Sequence, residues 1–97
     1  MNTSQILKLI GGEDFINEKI GISNAFSAPG TVTFRPTKVD SKYKTVKISV
    51  DKIGGRFTLT LTDPASRKKE QFTFKEAFRL KGTLLNKLGV KPRGIKQ

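Results

Sequence analysis

The sequence predicts an α+β domain in which two short N-terminal helices precede an antiparallel sheet of about four strands and a C-terminal helix. Three observations support this class. Apolar and polar residues alternate on both sides of Gly54-Gly55, which is typical of a β-hairpin. Leu80, Leu84 and Leu88 have helical spacing, and Gly89 follows directly as a helix stop. Two short apolar segments near the N-terminus each end at glycine.

The two N-terminal helices are predicted over residues 3–10 and 13–20, where Gly11-Gly12 and Gly21 end them. Helices this short are marginal alone. We therefore expect their apolar side chains to close over the sheet that follows.

The first strand is predicted over residues 31–35, where Thr and apolar residues alternate before Pro36. The segment before it, residues 23–30, has the composition of a loop, and Pro29-Gly30 predicts a turn.

The hairpin is the clearest element, with strands predicted over residues 44–52 and 56–62. If Gly54-Gly55 forms a two-residue turn, Val50 faces Leu59 on the apolar side. The same register pairs Ile48 with Leu61, and on the polar side Ser49 with Thr60 and Lys47 with Thr62.

The fourth strand is predicted over residues 71–74, after a basic loop at Arg67-Lys68-Lys69. The C-terminal helix is predicted over about residues 75–88, with Thr73 and Glu76 at capping-box spacing. Lys81 falls within the apolar stripe of this helix, where its stem is expected to pass its neighbours and bring the charge to water.

The net charge of +11 is unevenly distributed over a single predicted domain, residues 1–97. Residues 1–36, the neutral helical segment and first strand, hold three basic and three acidic residues. The basic sheet-plus-helix core (37–90) and the basic tail (91–97) together hold sixteen Lys and Arg against five acids. This asymmetry indicates a cationic binding half.

Catalysis is disfavoured by composition. The chain has no His and no Cys, so the commonest general base, the thiolate nucleophile and the usual zinc ligands are missing. The sequence therefore predicts a protein that is not an enzyme and has no metal or cofactor.

The outward side of the hairpin combines short hydroxyls with long cations, the groups that bond to phosphate oxygens without reading bases. We expect a nucleic-acid-binding surface there, with single-stranded DNA or RNA favoured and Tyr43 as a ring on which a base could stack. The predicted contacts, including the basic loop and tail, are Tyr43, Lys47, Arg56, Thr58, Thr60, Arg67, Lys68, Lys69, Lys75, Lys91, Arg93 and Lys96.

The order of elements over residues 37–90 resembles, in topology, the family of single-strand-binding coactivators, in which a basic antiparallel sheet is followed by a helix that dimerises. This resemblance implies that single strands are the first ligands to test. It also implies a homodimer through the C-terminal helix.

Two other functions fit the same charge. A small regulator or inhibitor, such as a viral one, would dock its basic face on an acidic protein partner. A ribonucleoprotein component is the third reading. No segment has the pattern of a signal peptide or a membrane span, so we expect no membrane partner and a cytoplasmic protein, in a nucleoid or a host cell.

Overall fold

The computed structural model describes residues 3–51 and 53–90. Three helices and five strands follow one another in these residues, which confirms the α+β class. In chain order they are α1 (Thr3–Leu9), α2 (Glu13–Lys19), β1 (Ile22–Ala28), β2 (Thr31–Pro36), β3 (Thr45–Asp51), β4 (Arg56–Asp63), β5 (Lys68–Phe74) and α3 (Ala77–Leu88). None of the helices in this part of the chain is long and apolar enough to cross a membrane.

The five strands form one antiparallel sheet in which each strand pairs with the next along the chain. The predicted hairpin is β3–β4, but its register differs from the expected one by two residues. Val50 pairs with Phe57 and Ile48 with Leu59, because the connection has four residues rather than two. Side chains alternate with a period of two, so a shift by two residues leaves every side chain on its predicted face.

The helices lie on one face of the sheet and enclose the core. α1 packs on β2, and α3 packs on β4 and β5. The core side chains are the apolar residues of the inward strand positions and of the helices: Val32, Phe34, Val46, Ile48, Leu59, Leu61, Ile6, Leu7, Ile10, Ile16, Ile20, Leu80, Leu84, Leu85 and Leu88. The N-terminal helices thus cover the sheet, as expected.

The fifth strand was not expected from the sequence. Residues 23–30 are not a loop: most of them belong to β1, which pairs with β2 around an irregularity between Ser23 and Phe26. Ser, Asn and Ala have low strand propensity, but the backbone ladder offered by β2 overrides it.

The C-terminal helix begins two residues later than predicted, and the expected capping box is wrong because Thr73 lies in β5. Glu76 is the N-cap and makes no side-chain capping bond. At the other end the prediction is confirmed: Gly89 has φ 75°, and the Val90 N–H donates to the Leu85 carbonyl at 2.9 Å, as in a Schellman motif.

Candidate nucleic-acid interface

The second face of the sheet, called the open face below, carries polar side chains at the strand positions that alternate with the core residues. No helix of the described residues packs on it. On β2 to β5, apart from the hairpin end, its residues are Thr31, Thr33, Thr45, Lys47, Ser49, Thr58, Thr60, Thr62, Lys69, Gln71 and Thr73, all exposed or half-buried.

Cross-strand pairing sets these residues in rows. One row runs Thr33, Lys47, Thr60 and Gln71 from β2 to β5. The next row places Lys69 opposite Thr62. With strands about 4.8 Å apart and a step of roughly 6.8 Å for two residues, the Cα atoms of Lys47 and Lys69 are about 12 Å apart. Two long side chains at that separation can reach different phosphates of one backbone.

A depression of about 420 Å³ lies in the middle of the open face. It is lined by Thr33, Thr45, Lys47, Thr60, Thr62, Lys69 and Gln71. One hydrogen bond crosses it, from the Gln71 amide to the Thr60 hydroxyl at 3.5 Å, the long limit for such a bond. The hydroxyls that line the depression are therefore available to bond to a ligand.

The two lysines of the depression are not neutralised. Among the described residues, no carboxylate lies within ion-pair distance of Lys47 or Lys69, and both are exposed. Asp51, on the same side of β3, is at the far end of the hairpin, where its carboxylate accepts a hydrogen bond from the Ile53 N–H at 3.0 Å. Uncompensated lysines surrounded by hydroxyls favour an anionic ligand.

The prediction that Tyr43 belongs to the interface is wrong. It lies before β3 rather than within it, so the strand alternation does not extend to it, and its side chain is buried in the core at 5% exposure. Its hydroxyl donates to the Glu70 carboxylate, whose other oxygen accepts from Lys87 Nζ at 3.3 Å. Tyr43 therefore joins the segment before β3 to β5 and α3, and offers no stacking surface.

The prediction of a basic loop is also wrong, because Lys68 and Lys69 are the first residues of β5. Lys69 faces the open side opposite Thr62, and alternation places Lys68 on the other side, opposite Asp63. Arg67 is the exposed turn residue before the strand and has φ 58°. The three cations therefore do not act as one group.

Asp63 caps the turn that precedes Arg67. The Ser66 hydroxyl donates to this carboxylate at 2.9 Å and the Ala65 N–H at 3.1 Å, and these bonds hold the pKa of Asp63 below its ordinary value of 3.8.

The remaining predicted contacts are distributed along the molecule. Thr58 and Thr60 are in the centre of the open face. Arg56 lies opposite Asp51 in the β3–β4 strand pairing at the hairpin end. Lys75 is exposed just after β5 at the same end. Lys91, Arg93 and Lys96 lie outside the described residues.

Thr45 and Thr62 line the depression from the predicted outward side of the hairpin without being among the predicted contacts, and Thr33 and Gln71 were missed altogether. Alternation with Phe34 and Phe72 was a sufficient signal for which side each faces. What the sequence lacked was the position of β2 beside β3 in the sheet, because a long connection separates the two strands.

Lys81 lies off this surface, with its Nζ 5.1 Å from the centre of the Phe15 ring. The side chain is half-buried and its ammonium lies against this ring; that the charge reaches water stays a prediction. No group of three acidic, His or Cys residues that could hold a metal occurs in the described ranges.

The chain was compared with protein-family models, with curated proteins and with solved structures, and none of the three comparisons found a match.

Proposed function

We propose that this protein binds nucleic acid without catalysis, through contacts between the open face and the sugar–phosphate backbone. The observation that carries the proposal is two exposed lysines, Lys47 and Lys69, which have no ion-pair partner among the described residues and lie among threonine hydroxyls in one shallow depression. Lysine ammonium groups and hydroxyls are among the commonest donors to phosphate oxygens.

The chemistry of the open face favours backbone contact over base stacking. None of its side chains on β2 to β5 is aromatic, and Tyr43, the residue expected to stack, is buried. Binding through phosphates releases counterions, so affinity falls steeply with salt and depends little on sequence. The preference for single strands stays a prediction, as does a homodimer through α3.

An acidic protein partner is the alternative, because it would be attracted by the same lysines. Recovery of a protein partner that survives nuclease treatment, together with failure to bind any nucleic acid, would favour it. A ribonucleoprotein component would instead lose its partners on digestion of RNA.

The test is a fluorescence titration of the whole chain with single-stranded DNA, duplex DNA and RNA at two salt concentrations. We expect binding at low salt that weakens as salt rises, with single strands bound best. Undetectable binding to all three at low salt would overturn the proposal.

A further inference from the structure

We propose that Ile53, at the tip of the β3–β4 hairpin, is an apolar wedge that inserts between adjacent stacked bases of the bound nucleic acid. The inference rests on the proposed function and adds a second kind of contact, to the bases, beside the backbone contacts of the open face.

Ile53 is the most exposed large apolar side chain in the described part of the chain. It is 99% exposed, whereas the next, Phe78, is 65% exposed and has the Arg79 guanidinium 5.9 Å from its ring centre. Single apolar residues at a surface are common, so exposure alone assigns no role. It does show that Ile53 contributes nothing to the core.

The turn that presents Ile53 is held in a defined shape by Asp51. The Asp51 carboxylate accepts from the Ile53 N–H at 3.0 Å, and its backbone carbonyl accepts from the Gly55 N–H at 2.8 Å.

Gly55 favours this shape through its backbone conformation, and Gly54 leaves room for the Asp51 carboxylate. Gly55 has φ 64°, and a Cβ at Gly54 would lie 2.9 Å from an oxygen of Asp51. A side chain presented by a fixed turn loses little conformational freedom when it binds.

The position of the tip links it to the open face. β3 and β4, which carry Lys47, Thr58 and Thr60, run directly into it, and Arg56 at the start of β4 provides a cation beside the tip. A backbone that follows these strands along the open face therefore reaches the tip.

An apolar side chain with a cation beside it matches the way proteins unstack bases. Phe, Leu, Ile, Met and Pro wedges enter base steps, while neighbouring cations bind the phosphates. Ile53 exchanges water for the faces of two bases, which is favourable for an aliphatic side chain. The ligand class is thus a nucleic-acid strand with stacked bases, rather than free phosphate or a lone nucleotide.

The experiment uses an adenine-rich oligonucleotide that carries 2-aminopurine, whose fluorescence rises when the base unstacks, as a single strand and as a duplex. The proteins are the wild type, Ile53→Ser, Ile53→Leu and, as a matched control that removes an exposed apolar side chain elsewhere, Phe78→Ser. Because Ile53 is outside the core, Ile53→Ser should melt at the same temperature as the wild type.

We expect the wild type, Ile53→Leu and Phe78→Ser to raise the fluorescence. Ile53→Ser should bind roughly tenfold more weakly and, at saturation, leave the fluorescence unchanged. If the wild type binds both forms without raising the fluorescence, or if Ile53→Ser raises it equally, the wedge is refuted while the proposed function stands. If the wild type binds neither form at low salt, the proposed function itself fails.

Discussion

Removing both lysines of the depression should weaken nucleic-acid binding and reduce its dependence on salt. Removing their exposed neighbour Lys68 should do neither. In the variant Lys47→Ala/Lys69→Ala, two cations are lost from the open face. Neither has an acidic partner among the described residues, so no carboxylate is left unpaired and the fold should be unaffected. Lys68→Ala is the matched control, because it removes an adjacent cation from the opposite side of β5.

The magnitude follows from counterion release. Each phosphate contact contributes about 0.9 to the slope of log affinity against log salt for duplex DNA and about 0.7 for single strands. Two contacts then account for about 1.8 or 1.4 of the slope. Over a fourfold rise in salt, the wild type should lose affinity about 12-fold more than the double variant on duplex DNA and about 7-fold more on single strands.

The assay is fluorescence anisotropy with labelled oligonucleotides over a series of salt concentrations, with thermal melting to establish that each variant is folded. A double variant whose slope equals that of the wild type would show that neither lysine contacts a phosphate. A Lys68→Ala variant that loses about 0.9 of the slope on duplex DNA or about 0.7 on single strands, the loss expected for one phosphate contact, would equally contradict phosphate binding by the open face.

Three further changes test parts of the fold outside the open face. Tyr43→Phe removes a half-buried hydrogen bond to a carboxylate, so the free energy of unfolding should fall by about 1.5–3 kcal/mol in urea titrations, and binding to single and double strands should change equally. Gly82→Ala replaces a helix-interior glycine with open space around it and should raise the free energy of unfolding by about 1 kcal/mol; a decrease would contradict the packing of α3. Ser66→Ala removes the main bond that lowers the pKa of Asp63, so an NMR titration should show that pKa rising toward 3.8. Because the folded pKa is depressed, the stability that Asp63 contributes is present above pH 3.8 and disappears as the pH falls through the folded pKa; an unchanged pKa in Ser66→Ala would refute this assignment.

The hairpin shows how far sequence alone can go. Alternation around Gly54-Gly55 predicted which residues of β3 and β4 face the core, and the structure confirms the faces. The pairing was wrong by two residues, because Asp51 organises a longer turn through its side chain and its carbonyl. Face assignment survives this error since it depends only on parity.

Tyr43 shows where the same argument fails. Parity applies only while the chain is extended, and the strand begins at Thr45. The buried Tyr43 donates to Glu70, which also accepts from Lys87; both partners are distant in sequence and are brought together by the packing of α3 against β5. No local pattern encodes that contact.

The placement of Lys69 depended on the length of β5. A run of three cations is typical of a solvated loop, and only the ladder with β4 extends the strand back to Lys68. Pairing with Asp63 and Thr62 then separates Lys68 from Lys69 onto opposite sides. The backbone hydrogen bonds between β4 and β5 therefore place Lys69, and not Lys68, on the open face.

The most direct test of backbone binding by the open face is an NMR titration of the labelled protein with a single-stranded oligonucleotide at low salt, with amide and threonine methyl shifts followed by residue. The account predicts the largest shifts at Thr33, Lys47, Thr60 and Lys69, and small shifts in α1 and α2 on the opposite face. Saturable binding whose shifts are confined to the helices, with the open-face threonines unmoved, would contradict it.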